Sequence, residues 1–405
     1  MASEGRPEPA RLQLRVVVGV HDGVLSGVNT YAEQVAAAGA AAGAEVTLLA
    51  THASLARELA ERLAGTSVTV MDLGMAPATP GQRRMERIFP AYAAGRLASA
   101  IRVGAGGLGH FDVAHANHPP LASALRPLAD RVVVAAWFHP HAPVGRAIET
   151  WRHTGRRFPR SLGLAAKGVL HYRNDARGYR EADVALAPTR LLADALSRAG
   201  IAAVHCPPPC RVEEEEVDPP ANPTSRPRLL VCSGDLSHPR KNVGLAVEAV
   251  GRLSRRLPGR ISLDLVGRNA ERLAPQLRRL PPEVEVRAWG ALIPADVHAL
   301  MRDADALLVP SRFEEWGYVA VEAALRGTPV VSLAVYPFEE MLAGGLGACA
   351  AAPTPEGYAD AIALVLAEAR DRASVASVAA ERFGEASVGH RLTRVWGFER
   401  PPVPR

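Results

Sequence analysis

The chain has few cysteines and no long apolar run. Its four cysteines, among 405 residues, are Cys206, Cys210, Cys232 and Cys349. They are too few for a disulfide framework, and the one close pair lacks the second pair that a structural zinc site needs. No segment reaches the ~20 apolar residues of a membrane span, and the opening MASEGRPEPARLQLR has no apolar stretch typical of a signal peptide. We therefore expect a cytoplasmic protein without a metal site.

Aromatic residues are scarce, and the charge is mildly positive. Phenylalanine, tryptophan and tyrosine make up 5% of the chain, and its basic segments lack the interleaved stacking aromatics of recognisable nucleic-acid-binding modules. The formal net charge of +5 would suit an anionic ligand, a nucleic acid or an acidic membrane surface, and net charge singles out none of them. We therefore expect no nucleic-acid partner.

The chain is rich in alternating apolar and amphipathic segments. Short apolar segments such as AEVTLLA alternate with longer ones such as SLARELAERLAG, over residues 12–207 and again over residues 228–385. This rhythm predicts an α/β protein of two Rossmann-like, doubly wound domains, joined by the proline- and acid-rich linker 208–227. We expect residues 1–11 to form a flexible tail and residues 386–405 to form a helix and a tail. Whether this last segment crosses back to the first domain is left open. Ligands of such domains bind beyond the carboxyl ends of the strands, in the cleft that two facing domains enclose.

Two glutamates lie beyond the predicted strand DALLVPS of the second domain. The strand should deliver Glu314 to the cleft, and a helix that begins near Gly317 should carry Glu322 to the same end of the sheet. Carboxylates accept strong hydrogen bonds from vicinal hydroxyls, and the amides of Gly317, Tyr318 and Val319 can receive phosphate oxygens. The pattern favours a hydroxyl-rich phosphate ester as the ligand. Two solvated glutamates are the alternative.

The same stretch, SRFEEWGYVAVEAALRGTPVV, resembles the signature of a known family. A Glu, seven intervening residues and a second Glu, followed by GlyThrProVal, are similar to the motif of retaining GT-B glycosyltransferases of the glycogen-synthase and sucrose-synthase-like group, family 4. The resemblance implies a GT-B fold and a nucleoside-diphosphate sugar as donor, with uridine as the commonest base and no metal or other cofactor. It implies that Glu314 holds hydroxyls of the transferred hexose and that Glu322 holds the ribose hydroxyls.

Further donor contacts are implied by position. Arg240 and Lys241 occupy the place where the family keeps a basic residue for the diphosphate, and cations there offset charge on the departing nucleotide. The family usually has an Arg after the glycine of this strand, whereas this chain has Asp235, which puts one phosphate contact in doubt. The other implied donor contacts are Gly23, Gly27, Gly234, Gly267, Arg268, Ala291, Leu292, Trp316, Gly317, Tyr318 and Val319.

Polar residues of the first domain complete the predicted site. His139 ends the predicted strand RVVVAAWFH, and the resemblance implies a His that contacts the donor sugar near the reacting carbon; a structural histidine is the alternative. His141 takes that place if the register differs, and is otherwise an acceptor contact. For His115, Asn117 and His118, near the end of an earlier strand, acceptor contacts and simple loop hydrogen bonds are equally open.

The acceptor should be recognised by the arginine-rich segments 83–102 and 145–180 of the first domain. We expect a small soluble acceptor, such as a cyclitol, an aminocyclitol or another secondary metabolite. A lipid acceptor at an acidic membrane surface is the alternative that the arginines leave open. The fold also serves epimerases and non-catalytic nucleotide-sugar-binding proteins, which are alternatives of a different class.

Overall fold

The computed structural model describes residues 14–19, 26–82, 85, 90–137, 175–212, 226–257, 259–368 and 370–397. Its strands form two sheets. Those of the first sheet are β1 (Arg15–Gly19), β2 (Glu45–Ala50), β3 (Thr69–Asp72), β4 (Phe111–Ala116), β5 (Ala129–Ala135), β6 (Val184–Ala187) and β7 (Ala203–His205). Their order in space is β3-β2-β1-β4-β5-β6-β7. The helices beside them are Ser26–Ala41, Ala53–Arg62, Pro90–Leu108, Ala122–Leu125 and Arg190–Arg198.

The first sheet is parallel around its central strand. Val17 of β1 pairs with Thr47 of β2 on one side and with Ala114 of β4 on the other. Val16, Val17 and Val18 are fully buried, as expected of a parallel strand that is covered on both faces. Continuous apolar runs of this kind made the strands predictable.

The second sheet repeats the pattern. Its strands are β8 (Arg228–Asp235), β9 (Ile261–Arg268), β10 (Val284–Gly290), β11 (Ala306–Val309), β12 (Val330–Leu333) and β13 (Gly347–Ala350). Their order in space is β10-β9-β8-β11-β12-β13, and the pairings are parallel. The helices that follow the strands are Val243–Leu253, Ala274–Leu277, Pro294–Asp303, Tyr318–Leu325, Phe338–Met341, Pro355–Ala367, Arg372–Phe383 and Glu385–Gly397. The prediction of an α/β protein with two Rossmann-like domains is confirmed.

One face of the second sheet carries a large apolar core. Leu229, Leu263 and Leu308 of the sheet are buried with residues of the helices Val243–Leu253 and Pro355–Ala367. Tyr358 is fully buried there, and its hydroxyl donates to the Val331 carbonyl at 2.7 Å. The hydrogen bond satisfies the polar end of a side chain whose ring contributes apolar area to the core.

The structure differs from the predicted elements at four places. The strand predicted to end at His139 ends at Ala135. The alternating pattern predicts a crossover helix over the segment ERLAPQLRRL. The segment forms a 3₁₀ turn over Ala270–Leu273 and a single helical turn over Ala274–Leu277, because Pro275 can occupy only the start of a helix. The edge strands Ala203–His205 and Gly347–Ala350 were not predicted, since neither contains a long apolar run.

The last helix packs on the first part of the chain. Its residues from Gly389 onward belong to the same compact unit as the strands β1 to β5. Trp396 is almost completely buried, and its ring packs against the backbone of Gly39. A Cβ built on Gly39 would lie 2.3 Å from this ring. A Cβ on Gly389 would lie 2.3 Å from the Ala38 carbonyl oxygen. Two glycines therefore allow the helix Ser26–Ala41 and the last helix to approach closely.

In the described part of the chain, no helix combines the length and the apolar character needed to cross a bilayer.

Candidate functional site

Three predicted site residues of the second domain, Arg240, Lys241 and Glu314, lie together where β8 and β11 end. These strands are neighbours in the sheet, with Leu230 paired to Leu307, although β9 and β10 lie between them in the sequence. The strands β9 and β10 lie on one side of β8, and the strands β11, β12 and β13 lie on the other side. This is the topological switch point at which open α/β sheets bind ligands.

The loop after β8 presents two basic side chains at this point. A short 3₁₀ turn spans Pro239–Lys241, and Asn242 follows it in the left-handed conformation (φ 52°) and starts the helix Val243–Leu253. The Asn242 side chain donates to the Pro310 carbonyl at 3.2 Å, which ties this loop to the one after β11. Arg240 and Lys241 are thereby held next to the segment that carries Glu314.

The loop after β11 turns sharply into a helix. Gly317 has a left-handed φ of 94° and immediately precedes the helix Tyr318–Leu325. The conformation favours glycine, and the space is tight, because a Cβ at Gly317 would lie 3.0 Å from the Phe338 ring. The turn sets Glu314 on one side of the helix start and leaves Glu322 within the helix.

Four side chains form what we call the Glu314 cluster: Glu314, Arg240, Lys241 and Ser311. Lys241 Nζ lies 2.6 Å from Glu314 Oε1, and Arg240 Nη1 lies 2.6 Å from Glu314 Oε2. Ser311 Oγ donates to Glu314 Oε1 at 2.8 Å, and Arg240 Nη1 also donates to the Phe313 carbonyl at 3.1 Å. Both oxygens of a buried carboxylate are therefore held in charge-assisted hydrogen bonds.

The charges of the cluster leave one positive charge in excess. Burial raises the pKa of Glu314, but the charges of Lys241 and Arg240 and the hydrogen bonds from Lys241 and Ser311 outweigh burial and hold that pKa below its ordinary value. Glu314 is thus ionised at neutral pH. Two cations face one carboxylate, and the remaining charge favours an anionic ligand such as a phosphate.

Glu322 has a different environment. It lies half-buried in the helix Tyr318–Leu325. Burial raises the pKa of its carboxyl group, and the positive charge of Arg326 lowers it by less. The Arg326 guanidinium donates to the Glu322 backbone carbonyl at 3.0 Å. One carboxyl pKa is lowered and the other raised, which is the separation expected of two acids with different roles.

Two known protein families match successive parts of this chain. Residues 26–208 match the family described as "Glycosyl transferase 4-like domain", and residues 213–382 match the one described as "Glycosyl transferases group 1". The chain belongs to the family 4 GT-B glycosyltransferases. The resemblance inferred from the two glutamates is thereby confirmed at the level of the family.

Individual relatives of this GT-B chain are distant. It is 28% identical to a D-inositol 3-phosphate glycosyltransferase of Frankia alni over 94% of this chain and 96% of that protein. It is 34% identical to the glycogen synthase of Mycobacterium tuberculosis over 147 residues, which make up 36% of this chain and only 35% of the synthase. Among solved structures, HepE of Anabaena in complex with UDP and glucose is similar with a TM-score of 0.60 and 17% identity, over 94% of this chain and 98% of HepE. That likeness concerns the fold alone.

Three predicted donor residues of the GT-B chain lie where β8 and β9 approach each other. Gly267 has a φ of 143°, and a Cβ there would lie 1.9 Å from the Ser233 carbonyl oxygen. Arg268 Nε donates to the Gly234 carbonyl at 3.0 Å. Gly234 is exposed, with no atom within 4 Å of an added Cβ. Gly267 is therefore required by packing, whereas Gly234 has open space in front of it.

The other predicted donor contacts of the second domain lie at two further places. Ala291 and Leu292 follow the edge strand β10, where Ala291 is exposed and Leu292 half-buried. Tyr318 and Val319 occupy the first turn of the helix Tyr318–Leu325, where backbone N–H groups have no partner within the helix.

Trp316 is buried. Its ring packs edge-on against the Phe383 ring with a centroid distance of 5.5 Å. The ring of Trp316 therefore contributes to packing, and its predicted donor contact stays a prediction.

His115 lies in the interior of the first domain. Trp396 Nε1, which can only donate, donates to His115 Nδ1 at 3.2 Å, so the proton of the neutral ring is on Nε2, 3.0 Å from the Tyr31 hydroxyl. Burial lowers the pKa of His115 to about 3. Both ring nitrogens are bonded inside the core, which favours the hydrogen-bonding alternative, and the acceptor contact of His115 stays a prediction.

Asn117 and His118 follow β4, which is the neighbour of β1 at the switch point of the first sheet. Both are buried, and His118 immediately precedes the 3₁₀ turn Pro119–Leu121. Gly27 lies in the helix Ser26–Ala41. Gly23, His139 and His141 lie outside the described residues, so their predicted contacts remain predictions.

The sequence assigned no role to two polar residues of the site, although it placed Ser311 in the cleft together with Glu314. Ser311 bonds Glu314, and Asn269 bonds Asp235 at 2.9 Å. Ser311 lies three residues before the predicted acid, a spacing that could have indicated it. No local signal marks Asn269, because its partner is 34 residues away.

Proposed function

We propose that this chain is a retaining glycosyltransferase that moves a hexose-type sugar from a nucleoside diphosphate, with uridine as the expected base, to a hydroxyl group of a small soluble acceptor. The Glu314 cluster at the switch point of the second sheet is the observation that carries this proposal. It combines an ionised, buried carboxylate with two cations that together exceed its charge.

The two cations suit the diphosphate of the donor. As the bond between the sugar C1 and the phosphate oxygen breaks, negative charge grows on the leaving diphosphate, and Lys241 and Arg240 stabilise that charge. The N–H groups at the start of the helix Tyr318–Leu325 supply further donors to phosphate oxygens. The proposal assigns this role to side chains and backbone and includes no metal or other cofactor.

The two acids suit the two hydroxyl-bearing parts of the donor. Glu314 accepts hydrogen bonds from hydroxyls of the sugar, and Glu322 accepts them from the ribose. In the transfer, the acceptor oxygen bonds C1 from the face that the diphosphate leaves, and the acceptor proton passes to an oxygen of the departing phosphate. The configuration at C1 is retained in this scheme, and the protein contributes positioning and charge stabilisation.

Names of relatives support the choice of donor and acceptor class. The relative aligned over nearly its full length is named for an inositol phosphate acceptor, a cyclitol derivative. HepE, which shares the fold, was solved with UDP and glucose. We therefore propose UDP-hexose as donor and a cyclitol, an aminocyclitol or a related secondary metabolite as acceptor.

A thermal-shift screen over nucleotide sugars tests the donor, because a ligand that binds the folded chain raises its melting temperature. We expect a UDP-hexose to stabilise the chain and Lys241→Ala to weaken UDP binding by about tenfold, the loss of one charge-assisted contact. Arg256→Ala, which removes an arginine paired with Asp360 on the surface, is the matched control. Analysis of the product by NMR then gives the anomeric configuration.

The outcomes separate the alternatives. Absence of stabilisation by every nucleotide sugar, together with absence of transfer and donor hydrolysis, would contradict the proposal. Binding without transfer or hydrolysis would indicate a non-catalytic protein, and an altered sugar released without an acceptor would indicate an epimerase. Transfer only to acceptors in anionic vesicles would indicate a lipid substrate.

A further inference from the structure

The loop that carries Arg240 and Lys241 is attached to the segment after β11 by one backbone and one side-chain hydrogen bond. The Arg312 N–H donates to the Arg240 carbonyl at 2.9 Å, and the Asn242 side chain donates to the Pro310 carbonyl at 3.2 Å. These bonds hold the end of the loop. They leave the beginning of the loop, next to β9, to be held by other groups.

Asp235 holds the beginning of the loop with a single carboxylate oxygen. Oδ1 accepts from the Ser237 N–H at 2.9 Å, from the Ser237 hydroxyl at 2.8 Å and from Asn269 Nδ2 at 2.9 Å. All three donors are neutral. These hydrogen bonds, from Asn269 first, lower the pKa of Asp235 to about 2, so the carboxylate is ionised at neutral pH.

Asn269 is itself a fixed anchor. It follows β9 in the left-handed conformation, with φ 64°. The preceding Arg268 bonds both residues that flank Asp235, because its Nε donates to the Gly234 carbonyl at 3.0 Å and its carbonyl accepts from the Leu236 N–H at 3.0 Å. The Asp235 side chain therefore links the loop to a rigid strand end.

We propose that Asp235 is a positioning residue, which fixes the loop between β8 and the helix Val243–Leu253 so that Lys241 and Arg240 meet Glu314 and the donor diphosphate in one geometry. It acts through hydrogen bonds to neutral donors and not through its charge. The part of this inference that concerns the diphosphate rests on the proposed function. The part that concerns the loop and Glu314 does not.

Two substitutions separate geometry from charge. Asp235→Ala removes all three hydrogen bonds, and we expect UDP affinity to fall by about tenfold and the KM for the donor to rise by a similar factor, with kcat changed less. Asp235→Asn removes the charge but keeps an Oδ1 that accepts from the same three donors, so it should bind UDP as the parent does. Equal losses in both variants, or none in Asp235→Ala, would overturn the proposal.

A second measurement can be made without any nucleotide-sugar donor. In Asp235→Ala, we expect faster hydrogen exchange at the Ser237 and Lys241 amides and faster acylation of the Lys241 amine, which is protected in the parent by its 2.6 Å contact with Glu314. Asp235→Asn should behave as the parent, and so should the surface control Asp360→Ala. If Asp235→Ala fails to fold, Ser237→Ala removes only the hydroxyl donor and should give a smaller change in the same direction.

The two readouts distinguish the two proposals. If the parent binds no nucleoside diphosphate but the exchange and acylation rates change as stated, the proposed function fails and Asp235 still positions the loop. If the parent binds UDP while Asp235→Ala changes neither affinity nor exchange, the proposed function stands and the inference about Asp235 is wrong.

Discussion

Lys241 Nζ lies 2.6 Å from Glu314 Oε1, so the cation assigned to the donor diphosphate and the acid assigned to the donor sugar are hydrogen-bonded to each other. A phosphate that binds Lys241 shares the charge and the three N–H donors of one ammonium group with Glu314, and so competes with this carboxylate for the cation. Charge on this carboxylate therefore controls both the stability of the loops and the availability of the cation.

Glu314→Gln tests this competition. The neutral amide keeps the shape of Glu314 but holds Lys241 and Arg240 less strongly, so we expect UDP affinity to be retained or to increase by a few-fold. Turnover should fall by about two orders of magnitude, the usual effect of removing one stabilising group from the reacting centre. Calorimetry with UDP and single-turnover kinetics measure the two effects. A parallel loss of affinity and turnover would contradict the separate roles of the two residues.

Glu322→Gln should stabilise the chain at neutral pH. Burial raises the pKa of Glu322 above the ordinary value of 4.5, so the folded chain binds this proton more tightly than the unfolded chain. Ionisation of Glu322 therefore lowers the free energy of unfolding as pH rises above 4.5. This loss of stability is complete above the folded-state pKa. Denaturant unfolding at pH 7 should show Glu322→Gln to be more stable by up to ~1 kcal/mol, with the difference vanishing below about pH 4. The same variant should bind UDP about tenfold more weakly.

Glu314→Gln is the matched comparison, since its expected pH dependence has the opposite sign. The folded-state pKa of Glu314 is lowered, so its contribution to stability is fully present above pH 4.5 and is lost as pH falls through the lowered value. Glu314→Gln should therefore destabilise at pH 7. Stabilisation by both variants at pH 7 would show that burial dominates at both acids.

Alanine substitutions at Gly267 and Gly234 should change the free energy of unfolding by different amounts, although both glycines were assigned to the donor site. A Cβ at Gly267 would overlap the Ser233 carbonyl oxygen, in a backbone conformation that other residues rarely adopt, so Gly267→Ala should cost ~3 kcal/mol or more. Gly234→Ala meets open space and should change the free energy of unfolding by less than ~0.5 kcal/mol. Chemical denaturation measures both. A stable Gly234→Ala that binds UDP weakly would support close approach of the ligand at this glycine, and normal binding would exclude it.

Gly39 and Trp396 should show strong coupling in a double-mutant cycle. Trp396→Ala removes a buried indole and should cost ~3–5 kcal/mol. Gly39→Ala alone forces a methyl group against the Trp396 ring and should cost ~1–3 kcal/mol. In the Trp396→Ala background the same methyl group fills the space, and alanine is favoured over glycine in a helix by up to ~1 kcal/mol. Additive effects in urea denaturation would show that the two residues do not touch.

The elements of the site could be predicted better than its contacts. The strand before Glu314, the glycine turn and the helix with Glu322 follow from an apolar run, a glycine and an alanine-rich segment within about twenty residues of chain. His115 shows the limit of this reasoning. Its position at a strand end left an acceptor contact and simple loop hydrogen bonds equally open, whereas in the structure Trp396, 281 residues away, bonds it inside the core.

By itself the sequence determined the α/β class, the two Rossmann-like domains and the Glu314–Glu322 segment, because these depend on local periodicity and turn chemistry. Only the tertiary structure decided that Lys241 and Arg240 bond Glu314, that Asp235 bonds Asn269 and that Trp396 closes the core around His115. The physical reason is strand order. Parallel strands are joined by crossovers, so β8 lies beside both β9 and β11, and residues 34 and 73 positions apart meet at one edge of the sheet.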